Sequence, residues 1–163
     1  MSGFTSFPED LPDPDDAQVV ADGWFPPVAH ARVRALCQLG GAITNDQLTS
    51  AMEGGMLTAF RQLAEWRTAR VLAGSADLAT VTDLTLNGRN RAELLWERAI
   101  AYLASADLAA GNRDISATDS GLTRAAEKDN TADEDRREAY AAINDLLSIG
   151  ADEPVQRNRV SML

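Results

Sequence analysis

His30 and Cys37 are the only histidine and the only cysteine in a chain of 163 residues, and a thiol beside an imidazole is the simplest nucleophile such a chain could build. They fall on one short helical stretch, seven positions apart. That is two turns and about 10 Å of axial rise, too long for proton transfer. Cys37 is therefore read as a small packed hydrophobe and His30 as a surface or interface residue. The frame from Ser116 through Thr118, Ser120 and Gly121 to Glu127 has the glycine and closing glutamate of a calcium-binding loop. Hydroxyls stand where that loop needs carboxylates, so the ion's charge would go uncompensated, and the stretch reads as a helix N-cap region. Glu93 with Glu97, Asp133 with Arg137 and Glu134 with Glu138 are i,i+4 neighbours. Such pairs read as solvated helix surface. There is no glycine-rich phosphate loop and no nucleophile elbow. The residues predict no catalytic group, no cofactor and no metal site; the chain is not expected to be an enzyme.

Contacts are better represented than chemistry. Asp22-Gly23-Trp24-Phe25-Pro26-Pro27 puts two large aromatics between an acidic, proline-broken arm and the first helix, where no local element can cover them. Each such ring removes about 150 to 250 Å² from water when buried, so Trp24 and Phe25 must dock on the body or on a partner. The apolar tip Val160-Ser161-Met162-Leu163, beyond Pro154, carries the same implication.

Composition narrows the class. Hydrophobic residues make up 45% of the chain, enough for one globular domain with a core. No basic n-region opens the chain and no apolar run approaches the ~18 residues that would span a bilayer, so neither secretion nor membrane insertion is expected. The single cysteine points to no oxidising compartment. Of the net charge of −10, more than half lies on residues 1–27, which hold Glu9, Asp10, Asp13, Asp15, Asp16 and Asp22 and no Lys or Arg. An acidic chain gains little from counterion release on phosphate, so sequence-specific DNA binding is disfavoured.

The elements that must position these residues are helical. Pro26-Pro27 open a helix over about 28 to 39, which Gly40-Gly41 stop. Thr44 with Gln47 forms a capping-box pattern ahead of Leu48, Met52, Met56, Ala59, Leu63 and Trp66, predicting a helix over about 45 to 72 with Gly54-Gly55 as a bend or a close approach. Residues 73–90 form a long connector anchored by Leu78, Val81, Leu84 and Leu86, and Asn87-Gly88 within it is a hairpin turn signal. A third helix over about 91 to 111 carries Leu95, Ala99, Tyr102, Leu103 and Ala106 as one apolar stripe. A fourth follows Thr118 to about 149, with a polar middle from Lys128 to Glu138 that faces water or a neighbour. The expected fold is all-α, an antiparallel bundle of about four helices with extended ends and room for a small hairpin in the connector. Helix, Gly-Gly turn, helix over 28–66 leaves a small helical DNA-binding or regulatory module as the alternative, although no basic residue precedes Arg61 on the second helix.

Several segments, in order, resemble the head completion proteins of contractile-tailed phages, the gpL family. They are Asp22 to Pro26, Leu63-Ala64-Glu65-Trp66-Arg67, Asp77-Leu78, Asn87-Gly88, Arg113-Asp114-Ile115-Ser116-Ala117-Thr118, Asp133 to Arg137, and Ala142-Ile143-Asn144-Asp145-Leu146-Leu147. The resemblance runs from about residue 18 to the C-terminus. It implies a structural virion protein of the neck, assembled in the host cytoplasm, that binds as a ring to the portal protein after DNA packaging. Its partners would be the portal, neighbouring copies in a dodecameric ring, and a tail terminator or other neck protein. Double-stranded DNA would pass through the channel without sequence-specific binding, and no membrane is involved. In this reading residues 1–27 are an acidic arm, 28–150 a helical connector domain and 151–163 an extended tail. Trp24, Phe25, Arg136, Arg137, Val160, Met162 and Leu163 are the expected assembly-interface residues.

Overall fold

The structure, a computed structural model, describes residues 17–111 and 119–151, with 119–130 described by backbone alone. Four helices dominate: α1 (His30–Cys37), α2 (Asn45–Leu72), α3 (Arg91–Gly111) and α4 (Asp119–Leu147). Two small antiparallel ribbons accompany them, β1 (Gln18–Val19) with β2 (Val28–Ala29), and β3 (Thr85–Leu86) with β4 (Arg89–Asn90). The β3–β4 hairpin is the one that Asn87-Gly88 signals, and both turn residues have positive φ, 50° and 73°, as a two-residue hairpin turn of primed type needs.

Local chemistry explains most boundaries. At the start of α2 the Thr44 hydroxyl accepts from the Gln47 amide at 3.3 Å while the Thr44 amide donates to Gln47 Oε1 at 3.0 Å, completing the capping box. At the start of α3 the Asn90 carboxamide oxygen accepts from the amides of Ala92 and Glu93 at 2.8 and 3.4 Å. Its nitrogen donates to the carbonyls of Ala79 and Thr82, both at 2.8 Å, so one side chain joins helix, hairpin and connector. The connector itself holds a 3-10 turn, Leu78–Val81, whose Asp77 cap accepts from the Thr80 amide at 3.0 Å. Helix α1 is shorter than its pattern predicts. Val28 and Ala29 are committed to β2, and at the far end Gln38 turns left-handed at φ 51° before Gly40 is reached.

Helix α3 is the hub. Ala92, Trp96, Ala99, Ile100, Ala101, Leu103, Ala104, Ser105 and Ala106 are all buried, so burial surrounds the middle of the helix where a single stripe was expected. Burial on all sides is what a central helix requires, and α1, α2 and α4 each pack on it. Its alanines let the neighbours approach. A Cβ on Gly55 of α2 would lie 3.1 Å from Leu103 Cβ and 3.5 Å from the Ile100 carbonyl oxygen, whereas one on Gly54 would meet open space. Helix α2 runs unbroken through both glycines. Of the two predicted roles for the pair, close approach is the one observed, and Gly55 alone performs it.

Candidate assembly interface

The Trp24-Phe25 turn is built from its first residue. Asp22 Oδ1 accepts from the amides of Trp24 and Phe25, both at 3.2 Å, which fixes the turn, while Oδ2 pairs with Arg67 of α2. The Arg67 guanidinium lies over both rings, 5.3 and 5.6 Å from their centroids. Trp24 and Phe25 are only 7% and 2% exposed. Phe25 stacks on Trp96 at 4.3 Å between centroids and tilts on Phe60 at 5.4 Å, while Trp24 meets Trp66 edge-on at 5.9 Å. Every indole N–H ends on a backbone carbonyl: Trp24 on Ser75 at 3.5 Å, Trp66 on Ile149 at 3.0 Å and Trp96 on Pro26 at 3.0 Å. The amide of Leu78 donates to Trp24 O and that of His30 to Ala17 O, both at 3.0 Å. Large rings with one polar edge thus tie residues 17–29, the connector and the end of α4 to α2 and α3.

On α4, Arg136 pairs with the Asp133 carboxylate at 3.0 Å, and Arg137 Nε donates to the Asp133 carbonyl at 3.3 Å. Arg136 lines a shallow cleft of about 220 Å³ with Gly54, Gly55, Tyr140 and Asp107; Arg137 is exposed. Arg136 and Arg137 lie on α4, whereas Trp24 and Phe25 lie in the turn between β1 and β2 and are buried in the core. Val160, Met162 and Leu163 lie outside the described residues, as do the side chains of the calcium-like frame over 116–127.

Three readings of side chains need correction. His30 is buried at 5% exposure, because the β1–β2 ribbon carries the start of α1 into the core, and its Nε2 meets Thr49 Oγ1 at 3.2 Å. Glu97 is no solvated surface residue: its Oε1 accepts from Arg32 at 2.9 Å and its Oε2 from Arg89 at 2.7 Å, joining α1, hairpin and α3. Burial alone would raise its carboxyl pKa, but hydrogen bonds from the two guanidiniums outweigh that and hold it below the usual range. Leu84 and Leu86 anchor nothing within the described residues; they are 59% and 69% exposed, while Leu78 is fully buried. The alternation Leu84-Thr85-Leu86, which aims both leucines to one face of a strand, was the signal for this patch. Cys37 behaves as expected of a packed thiol. It donates to Ala101 O at 3.3 Å, and burial, aided by the Asp135 charge, pushes its pKa up to about 11. At neutral pH it is not a thiolate.

The surface thus offers contact features on several helices. Leu57, Val71 and Leu72 of α2 join Leu84 and Leu86 as exposed large apolar side chains. Residues 19–153 match the family described as phage head completion protein (GPL). The chain belongs to the phage head completion protein family. A head completion/stabilization protein of Escherichia phage P2 is 30% identical over 138 residues, 82% of either chain. No solved structure matches. Head completion proteins are structural components of the phage, and membership implies association with the virion and contact with other head and neck proteins. Among the described residues, no helix of this head completion protein is long and apolar enough to cross a membrane, and no cluster of His, Cys, Asp or Glu could hold a metal ion.

Proposed function

We propose that the chain is the adaptor subunit that docks as a ring on the portal protein after DNA packaging, extends the DNA channel and presents the surface to which the tail or a terminator protein binds. The observation that carries this reading is the family match over 19–153. A closed ring needs two unlike faces on each subunit. The polar middle of α4 with Arg136 and Arg137 is one candidate face, and the apolar residues Val71 and Leu72 on α2 are another. The net charge of −10 suits a channel that lets double-stranded DNA pass without gripping it. The ring is taken as dodecameric and its place as the neck, after assembly in the host cytoplasm.

In this reading the helices form an antiparallel bundle. Phe60 lies against Trp96 and Gly55 against Ile100 and Leu103, so α2 and α3 run in opposite senses. Residues 1–27 are the arm, its last third already laid on the 28–150 domain by Trp24 and Phe25. Residues 151–163 are the tail, with Val160, Met162 and Leu163 as its anchor on the portal or on the next subunit.

Electron microscopy of the chain mixed with portal from the same genome tests the reading. A ring of added density on the outer end of the portal supports it; a well-folded chain that leaves portals on packaged heads bare sinks it. Deletion of 154–163 should leave the helices folded and abolish joining to the head.

A further inference from the structure

Helix α1, the β3–β4 hairpin and the first half of α3 enclose a groove of about 520 Å³. Leu36 and Leu95 form its floor, and Leu84 and Leu86 form an exposed lip. Arg32, Arg91 and Arg98 line it with Glu97, and two of the three are already paired, Arg32 with Glu97 at 2.9 Å and Arg98 with Glu138 at 2.6 Å. Arg91 makes no ion pair among the described residues. An apolar trough with a cationic rim asks for an extended segment that alternates apolar groups with acids.

The sequence that precedes Ala17 is such a segment. Residues 1–16 contain Phe4, Phe7 and Leu11 among Glu9, Asp10, Asp13, Asp15 and Asp16, with no Lys or Arg. This segment enters the described structure at Ala17, whose carbonyl accepts from the His30 amide at the start of α1, two residues before Arg32 of the groove. Leu11 lies six residues before Ala17, a reach of up to about 20 Å against the ~12 Å length of α1. Pro8, Pro12 and Pro14 restrict the backbone in advance, which lowers the entropy lost on docking.

We propose that this groove is the seat of the chain's own acidic arm, with Phe4, Phe7 and Leu11 on the leucine surface and the acids against Arg32 and Arg91. Tethering at Ala17 makes the binding intramolecular, so even weak contacts fill the groove in the free subunit. The seat goes beyond the portal-binding reading and does not depend on it.

The test uses the full chain and a variant with Phe4→Ser, Phe7→Ser and Leu11→Ser, changes that lie outside the described body. Amide exchange over residues 84–90 should be faster in the variant. A labelled synthetic peptide of residues 1–16 should bind the variant but not the unaltered chain, whose groove is full. Adding Arg91→Glu to the variant should weaken the peptide about tenfold, and raised salt should weaken it further. Equal exchange in the two chains with no peptide binding to either would overturn the proposal. Equal peptide binding to both would also overturn it, because the groove would then be vacant in the free chain and open to a neighbour's arm or another acidic partner.

Discussion

The two ends of α3 are packed by opposite means. Around Trp96 the core is made of large rings, Trp24, Phe25, Phe60 and Trp66, drawn from the first turn and from α2. Beyond Ala99 small residues are set around Ile100 and Leu103, with Ala101, Ala104 and Ala106 on α3, while α4 buries Ala132, Ala139 and Ala142. Rings fill the space between irregular segments and bond their stray carbonyls, whereas alanines and Gly55 let straight helices come close. The first end should fail when something is removed. The second should fail when something is added.

Substitutions can break that contrast, and the largest effect is expected at the aromatic end. Trp96→Ala removes the ring against which Phe25 and Phe60 stack and frees the Pro26 carbonyl, so about 3 to 5 kcal/mol should be lost in a denaturant titration. A loss under ~1 kcal/mol would mean that the rings are not the keystone. At the small-residue end, Gly55→Leu should cost about 1 to 3 kcal/mol by overpacking. Gly54→Ala, into open space, should gain up to ~1 kcal/mol from backbone entropy, and equal effects at the two glycines would end the close-approach argument. Between the ends, Asn90→Ala should cost about 1 to 2 kcal/mol, since it removes a helix cap and two bonds to the connector. Hydrogen exchange should then quicken over residues 78–93 ahead of the rest.

The smallest effect is electrostatic. The folded Glu97 carboxyl is held below its ordinary value of 4.5. Its contribution is therefore complete above that value and is lost as pH falls through the lower folded value. Partly exposed pairs of this kind contribute up to ~1 kcal/mol. Comparing Glu97→Gln with the unaltered chain from neutral pH down to strongly acid pH should show a gap that closes only in acid; a gap independent of pH would assign the effect to packing.

Much of this was legible where the signal is local. Thr44 with Gln47, Asn87-Gly88 and the bounds of α2 and α3 follow from caps, turn chemistry and periodicity within a few residues. The Asp77–Thr80 cap is equally local, but it opens only the single 3-10 turn Leu78–Val81, too short to show a helical period. What could not be read depends on partners far along the chain. No spacing reveals that Trp24 meets Ser75, that His30 lies under a ribbon beside Thr49, or that one carboxylate, Glu97, is shared by Arg32 and Arg89. The hub character of α3 was hidden for a related reason: alanine is compatible with either a surface or a tight seam, and only the neighbours decide. At the candidate interface, residue types marked Trp24 and Phe25 as contact residues, but not what covers them.

The three indole bonds make the protein its own reporter. Each tryptophan sits at a different joint: Trp24 where the connector meets the first turn, Trp66 at the exit of α4, and Trp96 under Pro26. Indole emission shifts when the ring's surroundings change polarity. Chains retaining a single tryptophan, with Phe at the other two positions, would therefore follow each joint separately by fluorescence while the subunit meets its partners, without any attached dye.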